Sequence, residues 1–337
     1  MRPPRLLLLV LCVLGVFARA EEPFFKKGDV IAIVGGEDMV ALSEYGYLEL
    51  LLTRALPDYH LRFRNLAWEG DTVFEQRRDL GFPTWEEQLE KIGATVVLCQ
   101  FGQMESLAGK EKLPEFIAAY EKLLGRLGGE GKRRIVIVTP VIIPGSADFG
   151  VLGDWRAKQD ERLRLGKEGW APFLDYSRAI TDLAAAHQWR FVTLMSDLNT
   201  LYSTRAESAI RITRDGIHFN EDGQRKSASV IAISLTSLPD GAIKPLYAHR
   251  RDPSGKIVGP EKSPLRDLII AKNRLWFDYW RVQNWAFLAG DRTNQPSSRD
   301  HLDPAKRWFP EERERFLPLI KAREKEIDTL AAQLAQP

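Results

Sequence analysis

Residues 30–38 of the chain read VIAIVGGED, and this stretch decides the fold class. Val30–Val34 is an apolar run of strand length, rich in β-branched residues, and Gly35-Gly36 ends it in a tight turn. Tyr45–Leu56 then places apolar residues at helical spacing. A buried strand that leads through a glycine turn towards a helix is typical of a strand–helix unit in a layered α/β protein.

The same alternation of strand and helix recurs downstream. Further strands are predicted at His60–Leu66, Ala94–Phe101, Arg134–Thr139 and Arg190–Leu194. Further helices are predicted at Thr84–Ile92, Leu113–Leu127, Ala171–His187 and Glu221–Leu235. Continuous apolar strands indicate a sheet covered on both faces. The pattern therefore predicts an α/β fold, a three-layer α/β/α sandwich around a mainly parallel sheet of flavodoxin-like type.

In such folds the functional sites lie in the loops at the carboxyl ends of the strands. These loops are Gly35–Met39, Ala67–Thr72, Gly102–Ser106 and the segment from Pro140 onward, to which Asp215–His218 is added as the loop before the last helix of the unit. An Asp three residues before a His can hold one imidazole nitrogen and leave the other free as a general base. Alone, this pattern is weak, and a surface turn with a chance histidine is the alternative.

The order of these segments resembles the SGNH/GDSL-hydrolase family, over roughly Lys27 to Leu238. In that family the first strand ends in a G-D-S turn that carries the nucleophile, later blocks supply a Gly and an Asn as oxyanion donors, and a late D-x-x-H completes the triad. On this sequence the resemblance implies Glu37 at the serine position, Gly70 as the donor glycine, Met104 at the asparagine position, and Asp215 with His218 as the remaining triad members. Gly36 and Glu105 are further candidate oxyanion or binding residues.

The two departures from the family pattern have chemical consequences. Acyl transfer needs a hydroxyl that the histidine can deprotonate, and Glu37 has no such proton at neutral pH. Met104 cannot replace an amide donor, because a thioether only accepts hydrogen bonds weakly, and losing one oxyanion donor typically lowers the rate about 100- to 1000-fold. Ser43 is the nearest hydroxyl downstream, but it is expected inside the following helix and not at the turn.

Three interpretations of the site stay open: a degenerate site that still binds a ligand, altered catalysis with Glu37 as nucleophile or base beside His218, and a divalent-metal site built from His218 and nearby carboxylates. The acids expected at this edge of the sheet are Glu37, Asp38, Glu69, Asp71 and Glu105. Crowding should raise their pKa values, although Asp38 could simply cap the next helix. No cofactor and no bound metal are predicted.

The expected function is that of an SGNH/GDSL-type hydrolase-like protein that acts on or binds acyl esters, notably acetyl esters, of carbohydrates. The alternative is a non-catalytic exported protein that binds a carbohydrate or another small ligand. Four tryptophans, Trp68, Trp85, Trp155 and Trp170, lie near the site loops in sequence and could stack on sugar rings or simply fill the core. The net charge of +2 and the lack of a basic stripe with interleaved aromatics give no indication of a nucleic-acid partner.

The first 20 residues have the pattern of a secretory signal peptide. Arginines precede an apolar run from Leu6 to Phe17, and Ala18-Arg19-Ala20 provides a cleavage site. The run is shorter than the approximately 20 apolar residues that span a bilayer. We therefore expect a secreted or periplasmic protein without stable membrane insertion after the signal is removed. Only Cys99 would then remain, so no disulfide within the chain is expected, and Cys99 is predicted to be a small buried hydrophobe.

Outside the alternating unit, assigned to residues 27–240, the chain continues in a C-terminal helical extension, residues 241–337. Strands are expected to disappear from Ile243 onward, and the segments Pro264–Trp285 and Glu311–Leu334 read as two helices joined by a polar linker. The helices are predicted to pack against the α/β unit and partly frame its pocket. Lys272-Asn273 and Gln283-Asn284 could face the site.

Overall fold

A five-stranded parallel sheet forms the centre of the computed structural model of this protein. The structure describes residues 24–141, 172–194, 212, 214, 218–236, 250–251, 257–258 and 263–335. The strands are β1 (Val30–Gly35), β2 (Arg62–Asn65), β3 (Val96–Gln100), β4 (Arg134–Val138) and β5 (Arg190–Val192). Their order in the sheet is β2-β1-β3-β4-β5, and all pairs are parallel. This is the flavodoxin-like order, so the predicted fold class is confirmed.

The sheet is buried on both faces because successive residues of its central strands are mostly apolar. Ile31 and Ile33 of β1 pack into one core cluster, while Ala32 and Val34 pack into the cluster on the opposite face. This is the alternation that a pleated strand imposes. Cys99 of β3 is fully buried, and burial raises the pKa of its thiol to about 12, which confirms that it acts as a core hydrophobe.

The helices of the α/β unit follow the predicted pattern with one interruption. They are α1 (Glu37–Tyr45), α2 (Tyr47–Ala55), α3 (Trp85–Lys91), α4 (Leu113–Gly128), α5 (described over residues 172–186) and α6 (Glu221–Thr236). The single helix predicted at Tyr45–Leu56 is wrong at its start, since helical structure already begins at Glu37 and is broken at Gly46. Gly46 has φ of 67°, a left-handed conformation that ends α1 and starts α2.

The C-terminal extension is mainly helical, with α7 (Pro264–Trp280), α8 (Trp285–Leu288), α9 (Trp308–Glu314) and α10 (Phe316–Ala335). The helix predicted over Pro264–Trp285 ends at Trp280, because Arg281 leaves the helical region at φ −115° and ψ 57°. The helix predicted over Glu311–Leu334 is divided at Arg315. The expectation that strands disappear after Ile243 is also wrong: β6 (Arg250–Arg251) pairs antiparallel with β7 (Ile257–Val258). A two-residue ladder is too short for a hydrophobic period to reveal it.

The extension packs on the α/β unit through apolar and ionic contacts. Leu50 of α2 joins a buried cluster with Leu265 and Ile269 of α7 and Ile327 of α10. Beside it, the Lys272 Nζ of α7 lies 2.9 Å from the Glu49 carboxylate of α2, and both side chains are buried. The sequence suggested that Lys272 could face the predicted site. In the structure Lys272 is buried against Glu49 instead. The boundary between the two regions at residue 240 stays a prediction.

A second ionic cluster joins the edge strand to the last helix. Arg62 donates to both carboxylate oxygens of Asp328, at 3.1 and 2.7 Å, and Arg64 donates to Glu324 at 2.7 Å. The guanidinium groups of β2 thus hold α10 against the sheet edge. Within the described residues, no helix combines the length and the apolar character that a membrane crossing requires.

Candidate functional site

A pocket of about 330 Å³ lies at the carboxyl ends of β1 and β3. It is formed by the turn after β1, the loop after β2, the loop after β3 and His218, which lies three residues before α6. Its lining comprises Gly36, Glu37, Asp38, Gly70, Asp71, Thr72, Gln100, Phe101, Gln103, Met104, Glu105 and His218. The structure therefore gathers these loops at one edge of the sheet, as expected for a parallel α/β fold.

Glu37 and His218 face each other across this pocket. Glu37 is the first residue of α1, directly after the turn that ends β1, and its Oε2 lies 3.3 Å from His218 Nε2. The other carboxylate oxygen pairs with the guanidinium of Arg214. Both Glu37 and His218 are partly exposed, at 35% and 19% of their side-chain surfaces, so both are accessible from the pocket. Asp215, the predicted partner of His218, lies outside the described residues.

Asp38 anchors the histidine segment and does not cap α1. Gly36 is the N-cap residue and makes no side-chain cap, so the capping interpretation of Asp38 is wrong. The buried Asp38 carboxylate accepts hydrogen bonds from the Phe219 N–H at 2.9 Å and from Gln103 Nε2 at 3.3 Å. Gln224 of α6 donates to the Asp38 carbonyl at 3.0 Å. Because Phe219 follows His218 directly, these bonds fix the position of the histidine relative to α1.

The turn between β1 and α1 requires glycine because of a close backbone approach. Gly35 has φ of 150°, and a Cβ there would lie 2.5 Å from the Gln100 carbonyl oxygen of β3. Gly36, one residue before Glu37, lines the pocket. Gly70 also lines it and has φ of 79°, a left-handed conformation that favours glycine. Any role of these glycines as oxyanion donors stays a prediction.

The loop after β3 is held by a buried carboxylate. Glu105 accepts hydrogen bonds from the Val73 N–H and the Gly102 N–H, each at 2.9 Å, and so links this loop to the loop after β2. Burial raises the pKa of Glu105. Met104, at the family's asparagine position, lines the pocket and is 47% exposed, without a donor to offer. The neighbouring Gln103 amide, which sequence reasoning did not single out, donates to the Val141 carbonyl at 2.6 Å.

Crowding of acids does not explain the electrostatics of the pocket. Burial is the main cause of the raised pKa of Asp71, and the two-bond pair with Arg78, at 2.8 and 2.6 Å, opposes that rise. Glu69 contributes least to it. Glu69 is not part of the pocket lining, because its carboxylate lies 2.5 Å from Arg281 Nη2 of the C-terminal extension. The predicted effect of neighbouring acids is therefore present for Asp71, through Glu69, but it is smaller than the effect of burial on the pKa.

Among the described residues, the hydroxyl groups of Ser43 and Thr72 make other contacts than a serine hydrolase would need. Ser43 is inside α1, and its Oγ accepts a hydrogen bond from Asn65 Nδ2 at 2.8 Å, away from the pocket lining. The hydroxyl in the lining is that of Thr72, whose Oγ1 accepts from the Glu75 N–H at 3.2 Å. Among the described residues, no group of three or more His, Cys, Asp or Glu side chains is arranged to hold a metal ion.

The two described tryptophans near the site are held by protein groups. The Trp68 ring lies between two guanidinium groups, with Arg78 at 4.4 Å and Arg281 at 4.0 Å from its centroid. Trp85 is buried and donates to Gln76 Oε1 at 3.3 Å. Neither ring therefore presents a free face for sugar stacking. Trp155 and Trp170 lie outside the described residues.

Solved structures share this architecture. A gut microbial diltiazem-metabolizing enzyme matches over 92% of this chain and 95% of its own, with a TM-score of 0.52 and 13% identity. A GDSL-like lipase from Parabacteroides merdae matches over 64% and 98%, with a TM-score of 0.46 and 15% identity. A catalytic mutant of an acetylxylan esterase from Geobacillus stearothermophilus matches over 63% and 95%, with a TM-score of 0.44 and 19% identity.

No protein-family model matches the chain, and no curated protein matches it in sequence. The likeness to the diltiazem-metabolizing enzyme therefore shows the fold alone, an α/β architecture with C-terminal helices. What the site does has to follow from its own chemistry.

Proposed function

We propose that this protein binds a small-molecule or carbohydrate ester in the pocket of an SGNH-like fold without forming a serine acyl-enzyme. The observation that carries the proposal is the distance of 3.3 Å between Glu37 Oε2 and His218 Nε2. In an acyl-transfer site the histidine must reach a hydroxyl, since it acts by removing the hydroxyl proton. Here a carboxylate occupies that place.

The surroundings of Glu37 support binding over hydrolysis. Its carboxylate is shared between His218 and Arg214, so both carboxylate oxygens already have partners that compete with attack on an ester. A negative charge at this point also opposes an oxyanion that develops nearby. Met104 adds no donor, and Ser43 is directed to Asn65. Each of these features acts against ester cleavage while leaving the pocket open.

The polar groups of the pocket suit a ligand with several hydroxyl groups. The pocket contains the amide of Gln103 and the carboxylate of Glu37, beside the imidazole of His218. Carboxylates only accept hydrogen bonds when ionised, and sugar hydroxyls are donors that they can bind. A volume of about 330 Å³ is at the small end of ligand pockets, which favours one or two sugar units over a long chain.

A second candidate function is ester hydrolysis by altered chemistry. Glu37 and His218 are both accessible from the pocket, and a carboxylate can act as nucleophile or as the base that activates a water molecule. The pair would then work together on a bound acyl group. Competition from Arg214 for the carboxylate disfavours this route.

Activity and binding assays on the same protein separate the two candidates. Short-chain nitrophenyl esters and acetylated xylan report turnover, and calorimetry with acetylated xylo-oligosaccharides reports binding. We expect no turnover above buffer and measurable binding, which His218→Ala weakens. Turnover that His218→Ala abolishes and Ser43→Ala retains would instead establish altered catalysis, and the absence of both binding and turnover would refute the proposal.

Restoring the family residues provides an independent test. We expect the double variant Glu37→Ser, Met104→Asn to gain His218-dependent esterase activity, because it supplies a hydroxyl opposite the imidazole and an amide donor. The matched control is Ser43→Ala in the same double variant, which should keep the gained activity. Loss of activity in that control would show that Ser43 and not position 37 carries the hydroxyl.

We also propose that the protein is exported with removal of residues 1–20. The support is the sequence pattern of arginines, apolar run and small-residue cleavage site. N-terminal sequencing of the protein from a secreting host should begin at Glu21. A mature chain that begins at Met1 would refute this proposal.

A further inference from the structure

A second cavity of about 320 Å³ lies between the α/β unit and the C-terminal extension. One wall comes from α1 and the end of β2, through Val40, Ser43 and Ala67. The other wall comes from α7 and includes Trp276 and Trp280. The cavity shares no lining residue with the pocket that contains Glu37 and His218. It is therefore a separate site, made only where α7 packs against α1 and β2.

The walls of this cavity are mostly hydrocarbon. Three aromatic rings of α7 face aliphatic groups of α1 and the β2 loop, and two of these rings, Trp276 and Trp280, are buried at 3% and 5% exposure. The Trp276 indole N–H is already bonded to the Asn65 carbonyl at 2.8 Å, which fixes the ring in the wall. Protein interiors are close-packed, so a void beside large fixed rings loses contacts that a bound apolar molecule would restore.

Asn273 offers a hydrogen-bond acceptor in the wall of the cavity. Asn273 is 7% exposed and makes one hydrogen bond in the described part of the chain, from its Nδ2 to the Ser43 carbonyl at 3.0 Å. Its Oδ1 is thus an available acceptor on a residue that lines the cavity. The oxygen stays in contact with the space of the cavity, and a ligand with one donor group would bind it in place of water.

We propose that this cavity is a second binding site, for a flat aromatic molecule that carries one hydrogen-bond donor. The rings of Trp276, Phe277 and Trp280 supply the apolar contact, and Asn273 Oδ1 accepts the donor. Both halves of the site belong to rigid elements, since α1 continues directly from the central strand β1 and α7 is held by the buried Lys272–Glu49 pair. The site is built from side chains that the ester pocket does not use.

Indole and 1-benzofuran form a matched pair of probes for this site. They have the same shape, but only indole has an N–H. Titration followed by ligand-observed NMR should show indole binding with a dissociation constant of about millimolar order, the range for a fragment of this size. We expect 1-benzofuran to bind about fivefold more weakly, because it cannot donate to Asn273. Equal binding of the two probes, or no binding of indole, overturns the proposal.

Two neighbouring substitutions on α7 test whether indole binds in this cavity. Ile270 lines it, whereas Ala271 is exposed on the same helix. We expect Ile270→Trp to fill the cavity and weaken indole binding by more than about tenfold, while Ala271→Trp changes it by less than about twofold. Unchanged binding in Ile270→Trp, with the variant folded by circular dichroism, refutes the assignment.

A third variant keeps the test decisive if Ile270→Trp does not fold. Asn273→Leu removes the free acceptor while keeping an apolar wall, so we expect it to remove the preference for indole over 1-benzofuran. His218→Ala serves as the control from the other pocket and should leave the affinity for indole unchanged. Loss of indole binding in His218→Ala would place the probe in the ester pocket and overturn the proposal.

Discussion

Two pairs of a carboxylate and a basic side chain in this protein have opposite surroundings. Lys272 and Glu49 meet at 2.9 Å between α7 and α2, with their side chains 0% and 8% exposed. Glu37 and His218 meet at 3.3 Å at the mouth of a pocket, with 35% and 19% exposure. The first pair is buried where α7 packs against α2, while the second is accessible to a ligand.

The difference shows what each pair can do. Burial lowers the pKa of Lys272 and raises that of Glu49, in both cases because desolvation disfavours the charged form and outweighs the attraction between the partners. Neither group can exchange its partner for water or substrate. Glu37 and His218 retain access to solvent, so their interaction can be replaced by contacts with a ligand. A buried pair is suited to holding the extension in place, and an accessible pair to binding.

The largest effect is expected from breaking the buried pair. Lys272→Met should lower the free energy of unfolding by about 3–5 kcal/mol, because it leaves the Glu49 carboxylate buried without its partner. Denaturant unfolding measures this loss. The double variant Lys272→Met, Glu49→Leu should recover most of it, since no unpaired charge remains. Lys306→Met, which breaks an exposed pair with Glu311, is the control and should have a much smaller effect.

The next largest effect on stability is expected from removing the Glu105 carboxylate, which links the loops after β2 and β3. Glu105→Gln removes one of the two acceptors that bind the Val73 and Gly102 N–H groups, and we expect a loss of about 1–3 kcal/mol in the free energy of unfolding. Glu111→Gln, an exposed neighbour in the same segment, should have little effect. A loss equal to that of Glu111→Gln would show that the loops do not depend on this carboxylate.

The effect of Glu105→Gln should also depend on pH, with a defined sign. Burial raises the pKa of Glu105 above its usual value of 4.5, so the folded state holds the proton more tightly than the unfolded state. The wild-type protein therefore loses stability relative to the variant as the pH rises from that usual value through the raised pKa. Unfolding measured across this range should show the largest loss for Glu105→Gln at the acidic end. A loss that grows with rising pH would contradict the assignment.

A smaller effect is expected where the extension contacts the site loops. Arg281→Met removes the guanidinium that lies over Trp68 and pairs with Glu69, and should cost about 1 kcal/mol. Arg315→Met, whose pair with Glu312 is exposed, is the matched control. Faster proteolysis of the loop after β2 in Arg281→Met, but not in the control, would show that Arg281, directly after α7, holds this loop in place. Equal behaviour of the two variants would show that the contact is incidental.

The smallest effect on stability is expected at the accessible pair. Glu37→Gln should change the free energy of unfolding by no more than about 0.5 kcal/mol, because the pair is partly solvated. The same change should alter ligand binding, since it removes the charge beside His218. A loss as large as that of Lys272→Met would remove the distinction between the two pairs.

The strands β1, β3 and β4 were predictable because most of their residues are apolar on both faces, and β2 because apolar and polar residues alternate in it. The break at Gly46 was harder to predict, since a glycine inside a helical pattern can be tolerated or can end the helix. The stop at Arg281 carries no breaker residue, whereas Pro318 follows the stop at Arg315 by three residues and is a local signal for it. The hairpin Arg250–Arg251 with Ile257–Val258 is too short to produce a readable period.

The site was predictable where topology alone brings residues together. Glu37 follows β1 and His218 precedes α6, and a parallel sheet places both at its carboxyl edge. The part played by Gln103 and Arg214 was not predictable, because both reach their partners through side-chain conformations that depend on the surrounding packing. For the same reason the sequence left open whether Asp38 caps the next helix, since its partner Phe219 is remote in sequence.

By itself, the sequence determined the layered α/β fold and the meeting of an acid with the late histidine, because hydrophobic period and strand order are local properties that fix topology. Tertiary structure alone decided that Lys272 is buried against Glu49, that Arg281 contacts Trp68, and that a cavity opens between α1 and α7. These features depend on how two helical surfaces fit together, and the fit of side chains across a sequence separation of more than 200 residues leaves no periodic pattern in either segment.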